Sequence, residues 1–323
     1  MIDVHSTEFH LQPSQYAAPA GSILAPMYNR GAHLTENQML PAESACPLCG
    51  FSGHRPTVIS LQDAPPVYLL ACPCGCFSAS RMPREEVLKE YYSHYYAAID
   101  GTATFDGGER FSRHLFGVLG VAPKPSMRIL DFGGGVDAAL ARSLAHQFVQ
   151  RGTRRVEIAL VDYNASCPRD WGGGTTVDCY PGLPESTEGF DVVIGSGIVE
   201  HIPHPREIVL GLLNSVRADG RAYFRTPAIS SVIKLAARFG MDIDFTYPAH
   251  VHDMGQSFWE NLLTALNTEG FRLTRSRPSI VETEFRAHPS RTVIAHLFKL
   301  PWLVLRKRYS IVGGWEAVFA RCL

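Results

Sequence analysis

The sequence predicts an α/β protein: a doubly wound, mostly parallel sheet with a small metal-binding module on its N-terminal side. Three observations carry that prediction. From Met127 onward short apolar runs alternate with helical stretches, the pattern of strands joined by crossover helices. Three consecutive glycines, Gly133 to Gly135, close the first of those strands and open a helix. Five of the eight cysteines fall between Cys46 and Cys76, and such clustering marks a metal site more readily than a disulfide framework.

Size and composition agree. A chain of 323 residues, 46% of them hydrophobic, builds one large domain or a core domain with an appendage, which excludes disorder and a tiny disulfide scaffold. Lys plus Arg number 30 and Asp plus Glu 31, for a net charge of −1. No global field therefore draws the chain to phosphate backbones, and a nucleic-acid partner is not expected. The start, MIDVHSTEFH, lacks the basic start and apolar run of a signal peptide. No stretch reaches the roughly 20 apolar residues of a membrane helix. The expectation is a soluble, cytoplasmic protein whose thiols stay reduced.

Residues 1–40 hold Pro13, Pro19 and Pro26 without a sustained period, and read as an extended arm. Residues 41–100 are predicted to form the metal module, a ribbon of short strands such as Val67 to Ala71, followed by a helix from Arg84 to Tyr96. Residues 101–323 form the main domain. Its strands are expected at Arg128–Phe132, Val156–Tyr163, Asp191–Gly195, Arg221–Arg225, Phe271–Arg275 and Trp315–Arg321. Helices are expected at Ala138–Gln150, Arg206–Val216 and Ser257–Thr268, the last stopped by Glu269-Gly270. Two stretches, near 228–255 and 279–314, fit no crossover and are predicted to be insertions that decorate the sheet.

The glycine loop is where a ligand is expected. Glycines let the chain turn sharply and let a ligand touch backbone, while the next helix start offers N–H groups to an anion. Gly133-x-Gly135-x-x-Ala138 also fits a loose dinucleotide fingerprint. Asp131 argues against that reading, because an acid just before the glycines repels a pyrophosphate and suits a positively charged ligand. The segment Ile129 to Asp137 resembles the first motif of class I S-adenosylmethionine-dependent methyltransferases, with Asp137 at the third glycine position, where its side chain can cap the helix.

The resemblance continues through Pro227. Ala159 to Tyr163 matches the second strand, which implies that Asp162 accepts the ribose hydroxyls of the cofactor. Thr176 to Cys179 is similar to the third motif and brings Asp178 to the adenine. Phe190 to Pro205 is similar to the fourth strand and its loop, where Ser196 faces the methyl donor and Glu200-His201 opens the next turn. The implied fold is a Rossmann-like methyltransferase sheet, and the implied cofactor is S-adenosylmethionine held by Asp131, Gly133, Gly135, Asp162, Asp178 and Ser196. His201 either packs beneath the loop or takes part in catalysis.

Cys46-Pro-Leu-Cys49 has the two-residue spacing that lets two thiolates reach one tetrahedral zinc. Cys72-Pro-Cys74-Gly-Cys76 offers the remaining pair, with the choice among Cys72, Cys74 and Cys76 open and His54 as a spare. The unmetallated alternative leaves a segment too small for a core of its own. With the tyrosine cluster Tyr91 to Tyr96, this stretch resembles the N-terminal module of bacterial methyltransferases of sugar and natural-product tailoring, in which the zinc is structural. The tyrosines either line the substrate mouth or pack on the main domain.

The loop after the fifth strand should shape an acceptor pocket. It contains His250, His252 and Asp253. Were the segment extended, both imidazoles would point one way, as base or acceptor-binding groups, with Asp253 orienting a neighbour. A metal between them lacks a third ligand in the segment. In the second insertion, Leu297 to Leu305 precedes Arg306-Lys307-Arg308. It is too short to span a bilayer and is read either as an interfacial helix making peripheral membrane contact or as a face buried on the sheet or in a homodimer.

The expected function is methyl transfer to a small-molecule acceptor, a sugar or a natural-product intermediate, with proton removal by a nearby base. The rivals are an RNA methyltransferase with a zinc ribbon, a non-catalytic methyltransferase-like partner subunit, and a dinucleotide oxidoreductase.

Overall fold

A computed structural model describes residues 33–98, 109–135, 138–162, 171–184, 189–241, 243–281, 283, 285 and 289–322, with residues 93–98 and 291 by backbone alone. Most of the predicted arm, Asp137, and the side chains of Tyr95 and Tyr96 lie outside them.

The chain first builds a small antiparallel ribbon: β1 (Thr57–Gln62), β2 (Val67–Ala71) and β3 (Cys76–Ala79). Its apolar face encloses Leu34, Met39, Val67, Leu69 and Met82. Gln62 ties the segment before β1 in place, accepting from the Leu34 N–H at 2.9 Å and donating to the Leu34 carbonyl at 2.8 Å. Packing of the small unit thus begins at Leu34, inside the stretch read as an arm. Helix α1 (Glu85–Ala98) follows, and α2 (Glu109–Leu119) leads into the large sheet.

Within that sheet β4 (Ser126–Phe132), β5 (Arg155–Val161), β6 (Thr175–Tyr180), β7 (Phe190–Ser196) and β8 (Val216–Ala228) run parallel. Helix α3 (Ala139–Val149) joins β4 to β5, and α4 (Pro205–Asn214) joins β7 to β8. Pro205 stands in the first turn of α4, where its missing N–H costs nothing. β7 is central and buried on both faces, hence its near-continuous apolar run. Ala218 to Arg221, just ahead of and at the start of the predicted strand, form an irregularity inside β8, with Asp219 at φ +64 and a register shift against β7.

The first insertion holds α5 (Ser230–Arg238) and a short strand, β9 (His252–Met254). β9 does not decorate the large sheet. It pairs antiparallel with β3, Cys76 facing Met254 and Ser78 facing His252, and so completes the small sheet in the order β1-β2-β3-β9. Helix α6 (Gln256–Leu266) ends at Asn267 in the left-handed conformation, ahead of the predicted Gly270 stop. β10 (Phe271–Pro278), α7 (Pro289–Lys299), α8 (Trp302–Leu305) and β11 (Gly313–Arg321) complete the order. β11 lies antiparallel between β8 and β10, and the large sheet reads β10-β11-β8-β7-β4-β5-β6.

Successive strands thus step outward from β4 in both directions, and ligands bind such sheets beyond the carboxyl ends of the strands where the order reverses. Both predicted cofactor loops, after β4 and after β7, lie there.

One buried polar network fastens the antiparallel edge. Glu316 of β11, fully buried, accepts from Arg277 Nε at 2.6 Å and Tyr223 Oη at 3.0 Å and lies 2.9 Å from His114 Nε2. Burial alone would raise its pKa. The bonds from His114 and Arg277 outweigh that and hold it below the usual carboxylate value. Removing one partner of such a group strands the others, so Glu316→Ala is expected to cost about 3 kcal/mol, read as a lower denaturation midpoint.

Candidate active site

The glycine loop leaves β4 as a tight turn. Gly133 and Gly135 have φ of +74 and +76, a region that side-chain-bearing residues rarely enter. A Cβ at Gly133 would come within 2.6 Å of Ile198, whereas one at Gly135 would meet open space. The loop is therefore closed on the β7 side and open where a ligand would lie. Asp131 sits beneath it, 2% exposed, with its Oδ2 atom meeting no hydrogen-bond partner. Burial pushes its carboxyl up to about 7, aided by the charge of Asp162, while a bond from the Ala141 backbone works the other way. Asp162, just past β5, accepts from the Gly135 N–H at 3.0 Å. A buried carboxylate beside a Cβ-free hollow, with a second acid at its rim, fits a ligand carrying positive charge and vicinal hydroxyls. Asp178 is an exposed residue of β6. Ser196 ends β7 and receives a hydrogen bond from Arg225 Nε at 3.0 Å.

Past β7 the chain brings His201 against His250, ring centroids 4.8 Å apart. Their tautomers follow from their neighbours. The Tyr92 hydroxyl donates to the Ala249 carbonyl, and His201 Nδ1 lies 2.8 Å from both that carbonyl and the Tyr92 oxygen. Only a protonated Nδ1 satisfies a carbonyl, so the lone pair of His201 is on Nε2. The Thr246 hydroxyl likewise donates to the Phe245 carbonyl and accepts from His250 Nδ1 at 2.6 Å, which leaves the His250 lone pair on Nε2 as well. Burial holds the His250 imidazole down to about 3, helped by His201, so it is neutral at physiological pH. Glu200 Oε1 lies 3.8 Å from His201 Nε2. The ligand atoms of Glu200, His201 and His250 lie within 4.8 Å of one another, so Glu200 supplies the third group the loop lacks. Such a set can take up a proton or hold a divalent cation.

His252 and Asp253 go elsewhere. The segment turns at Tyr247 to Ala249 and becomes extended only in β9, so the two imidazoles do not share a direction. His252 is fully buried at the seam between the sheets, its Nδ1 3.0 Å from Ser78 Oγ and its Nε2 2.8 Å from the Ile202 carbonyl. With both nitrogens engaged inside, it has none to offer a substrate. Asp253 orients no histidine. Its carboxylate accepts the Ile229 and Ser230 N–H groups at 2.8 and 3.0 Å, at the start of α5.

The four sulfurs of Cys46, Cys49, Cys72 and Cys74 lie within 4.8 Å of one another. Cys46 and Cys74 are 4.0 Å apart, Cys49 and Cys72 3.4 Å. A tetrahedral zinc with bonds of about 2.3 Å sets its sulfurs roughly 3.8 Å apart, so the donor set fits that ion. Cys76 is excluded from the tetrad, its Sγ turned toward Ser78 Oγ at 3.4 Å. His54 is exposed and apart. Gly75, between the two ligand cysteines and Cys76, has φ +90, and a Cβ there would lie 2.5 Å from the Phe258 N atom, so the cysteine loop sits directly on α6.

With that geometry in place, the sequence signature described as a methyltransferase domain matches residues 108–275, more than half of the chain. The chain belongs to the methyltransferase domain family. This methyltransferase has no match among curated proteins. Solved structures similar to it include the plantazolicin methyltransferase BpumL in complex with a monoazolic desmethylPZN analog and SAH, at 13% identity and TM-score 0.45, over 74% of this chain and 96% of that one. Another is the [4+2]-cyclase SpnF, at 12% identity and TM-score 0.41, over 66% and 80%. A third is the complex between the Haloferax volcanii Trm112 methyltransferase activator and a methyltransferase, at 14% identity and TM-score 0.40, over 66% and 88%. The mostly parallel seven-stranded sheet is the fold predicted, and the methyl donor of the family is S-adenosylmethionine.

Two groups escaped the sequence reading of this methyltransferase. Arg225 lies in β8 beside Ser196, its guanidinium 5.4 Å from the Phe111 ring centroid. A charged residue directly after the apolar run Ala222-Tyr223-Phe224 was its available signal. The Tyr92 link to His201 joins α1 to the β7 loop across 109 residues of sequence, and no local pattern encodes it.

Proposed function

We propose that this methyltransferase moves a methyl group from S-adenosylmethionine to a small hydroxyl-bearing or carbon acid acceptor, of the sugar or natural-product intermediate class. Nε2 of His201, backed by Glu200 and His250, removes the acceptor proton. The observation that carries this is the imidazole pair: His201 and His250, each with Nδ1 bonded to the protein and its basic nitrogen on Nε2, in the loops beyond the carboxyl end of the sheet. Methyl transfer is an in-line displacement, so holding the acceptor behind the sulfonium methyl and accepting its proton are what the protein must supply. Asp131, Gly133, Gly135 and Ser196 cradle the cofactor, Asp162 takes its ribose hydroxyls, and Asp178 lies toward its adenine. Zinc on Cys46, Cys49, Cys72 and Cys74 is structural, because four thiolates leave no open position for water or substrate. The neutral net charge favours a small acceptor over RNA.

Calorimetry with S-adenosylmethionine and S-adenosylhomocysteine tests the cofactor half. Micromolar binding is expected, weakened at least tenfold, about 1.4 kcal/mol, in Asp162→Ala. Absence of binding by the folded wild type would sink it. For the base, His201→Ala should lower kcat roughly a hundredfold or more while S-adenosylhomocysteine affinity holds. An undiminished kcat would remove His201 from the chemistry.

A further inference from the structure

The α7–α8 segment is built like a surface that meets something. Its inner side is pinned: Thr292 and Trp302 are buried, Trp302 packs edge-on against Trp315 at 5.8 Å, and Lys299 Nζ reaches the Ser279 carbonyl at 2.5 Å. Its outer side carries Val293, Leu297, Leu300, Leu303, Val304 and Leu305, all exposed, with Leu297 at 57%, Leu303 at 59% and Val304 at 83%. Val293 and Leu297 lie one turn apart on α7, and Leu303, Val304 and Leu305 follow on α8 after the turn at Leu300 and Pro301. A row of aliphatic side chains left in water is costly, and a monomeric protein rarely keeps one without a use.

The charge of the segment says what covers it. Residues 289–310 hold five Lys and Arg and no Asp or Glu, in a chain whose net charge is −1. Arg306, Lys307 and Arg308 follow the aliphatic row directly and are exposed. Within the Arg306 to Arg308 cluster, Lys307 pairs with Glu260 at 2.7 Å, and one carboxylate against three cations leaves the cluster a net positive charge. A second copy of the chain docking through the same face would bring two such clusters together. An aliphatic row edged with cations instead matches a lipid surface, with acyl chains receiving the side chains and anionic headgroups receiving Arg306 to Arg308. Among the described residues no helix is long and apolar enough to cross a membrane, so the segment lies on the surface and does not span it.

We infer that the α7–α8 segment is a peripheral anchor that seats this protein on an anionic bilayer. This goes beyond the methyl-transfer reading and does not depend on it, since the measurement needs neither cofactor nor acceptor. The whole chain, loaded with zinc, is sedimented with vesicles of phosphatidylcholine alone and with vesicles containing 40% phosphatidylglycerol. Binding to the anionic vesicles should exceed that to the neutral ones at least tenfold and fall when salt rises from 0.1 to 0.5 M. Leu303→Asp/Val304→Asp should abolish it, and Arg306→Gln/Arg308→Gln should weaken it about tenfold. Both pairs are exposed, and circular dichroism checks that each variant folds. Equal binding to the two vesicle types, no binding, or binding untouched by either pair overturns the proposal. So does a wild-type dimer in light scattering that Leu303→Asp/Val304→Asp converts to monomer, which would make a second copy the occupant.

Discussion

Chelation of zinc, or replacement of Cys49 by serine, is expected to unfold the small sheet and to disable the site as well. The tetrad joins the Cys46–Cys49 loop to the Cys72–Cys74 loop, and the ribbon's apolar cluster is completed only by Phe245, Tyr247 and Val251 of the first insertion. Structural zinc in small domains contributes on the order of 10 kcal/mol to folding, so the loss should be complete. The damage spreads by two routes. β3 carries β9, whose His252 and Asp253 fix the loop that presents His250 and the start of α5. Tyr92, on the helix after the module, orients His201. Metal content by mass spectrometry should give one zinc per chain, and the apoprotein should lose turnover together with its small-sheet amide protection. Full activity after removal of the metal would refute a structural role. The tetrad also sets which substitution is mild: Cys76→Ser should keep one zinc, since Cys76 does not face the ion's position.

The second large effect concerns Asp131. Its folded pKa, near 7, stands above the unfolded value of 3.8. Stability from such a group is fully present below about pH 4, and it is lost as pH rises toward 7, where the buried carboxyl must ionise. A carboxyl raised from 3.8 to about 7 corresponds to about 4 kcal/mol. Asp131→Asn should therefore raise the denaturation midpoint of the cofactor-free protein at pH 8 and leave it nearly unchanged at pH 4. The same substitution should weaken S-adenosylmethionine binding at least tenfold, because the cofactor's positive charge favours the ionised carboxylate. In the wild type, binding below pH 7 should release a proton and affinity should climb with pH until it levels near 7. That profile should be flat in Asp131→Asn. A variant that is destabilised at pH 8, or a wild-type affinity independent of pH, would disprove the account.

The large sheet was legible because its signals are local. Apolar runs such as Ile129-Leu130 and Val192-Val193-Ile194 fall in strands. The three glycines fall where β4 ends, and Pro205 falls where α4 begins. Sites fixed within one loop were equally readable, as with Cys46 and Cys49. What escaped depends on contacts distant in sequence. Whether Cys72, Cys74 or Cys76 faces the tetrad is decided by the turn at Gly75 and its close approach to α6. His252 resembles His250 in sequence, yet one strand-pairing choice, β9 onto β3, sends it into the interior. In the second insertion, the exposure of Leu297, Leu303 and Val304 excludes a face buried on the sheet, which no local pattern encodes.

The placement of β9 also sets an order of events on the ribosome. β3 is made by residue 79, but its pairing partner begins at residue 252. At about 5 to 20 residues per second that gap lasts on the order of ten to thirty seconds. Throughout it the nascent ribbon carries an unpaired edge and a nest of reduced thiols, open to wrong pairing and to oxidation. Early capture of a metal ion would close the thiols while the edge waits. A chain starved of zinc during synthesis should therefore aggregate more than one stripped of zinc after it has folded.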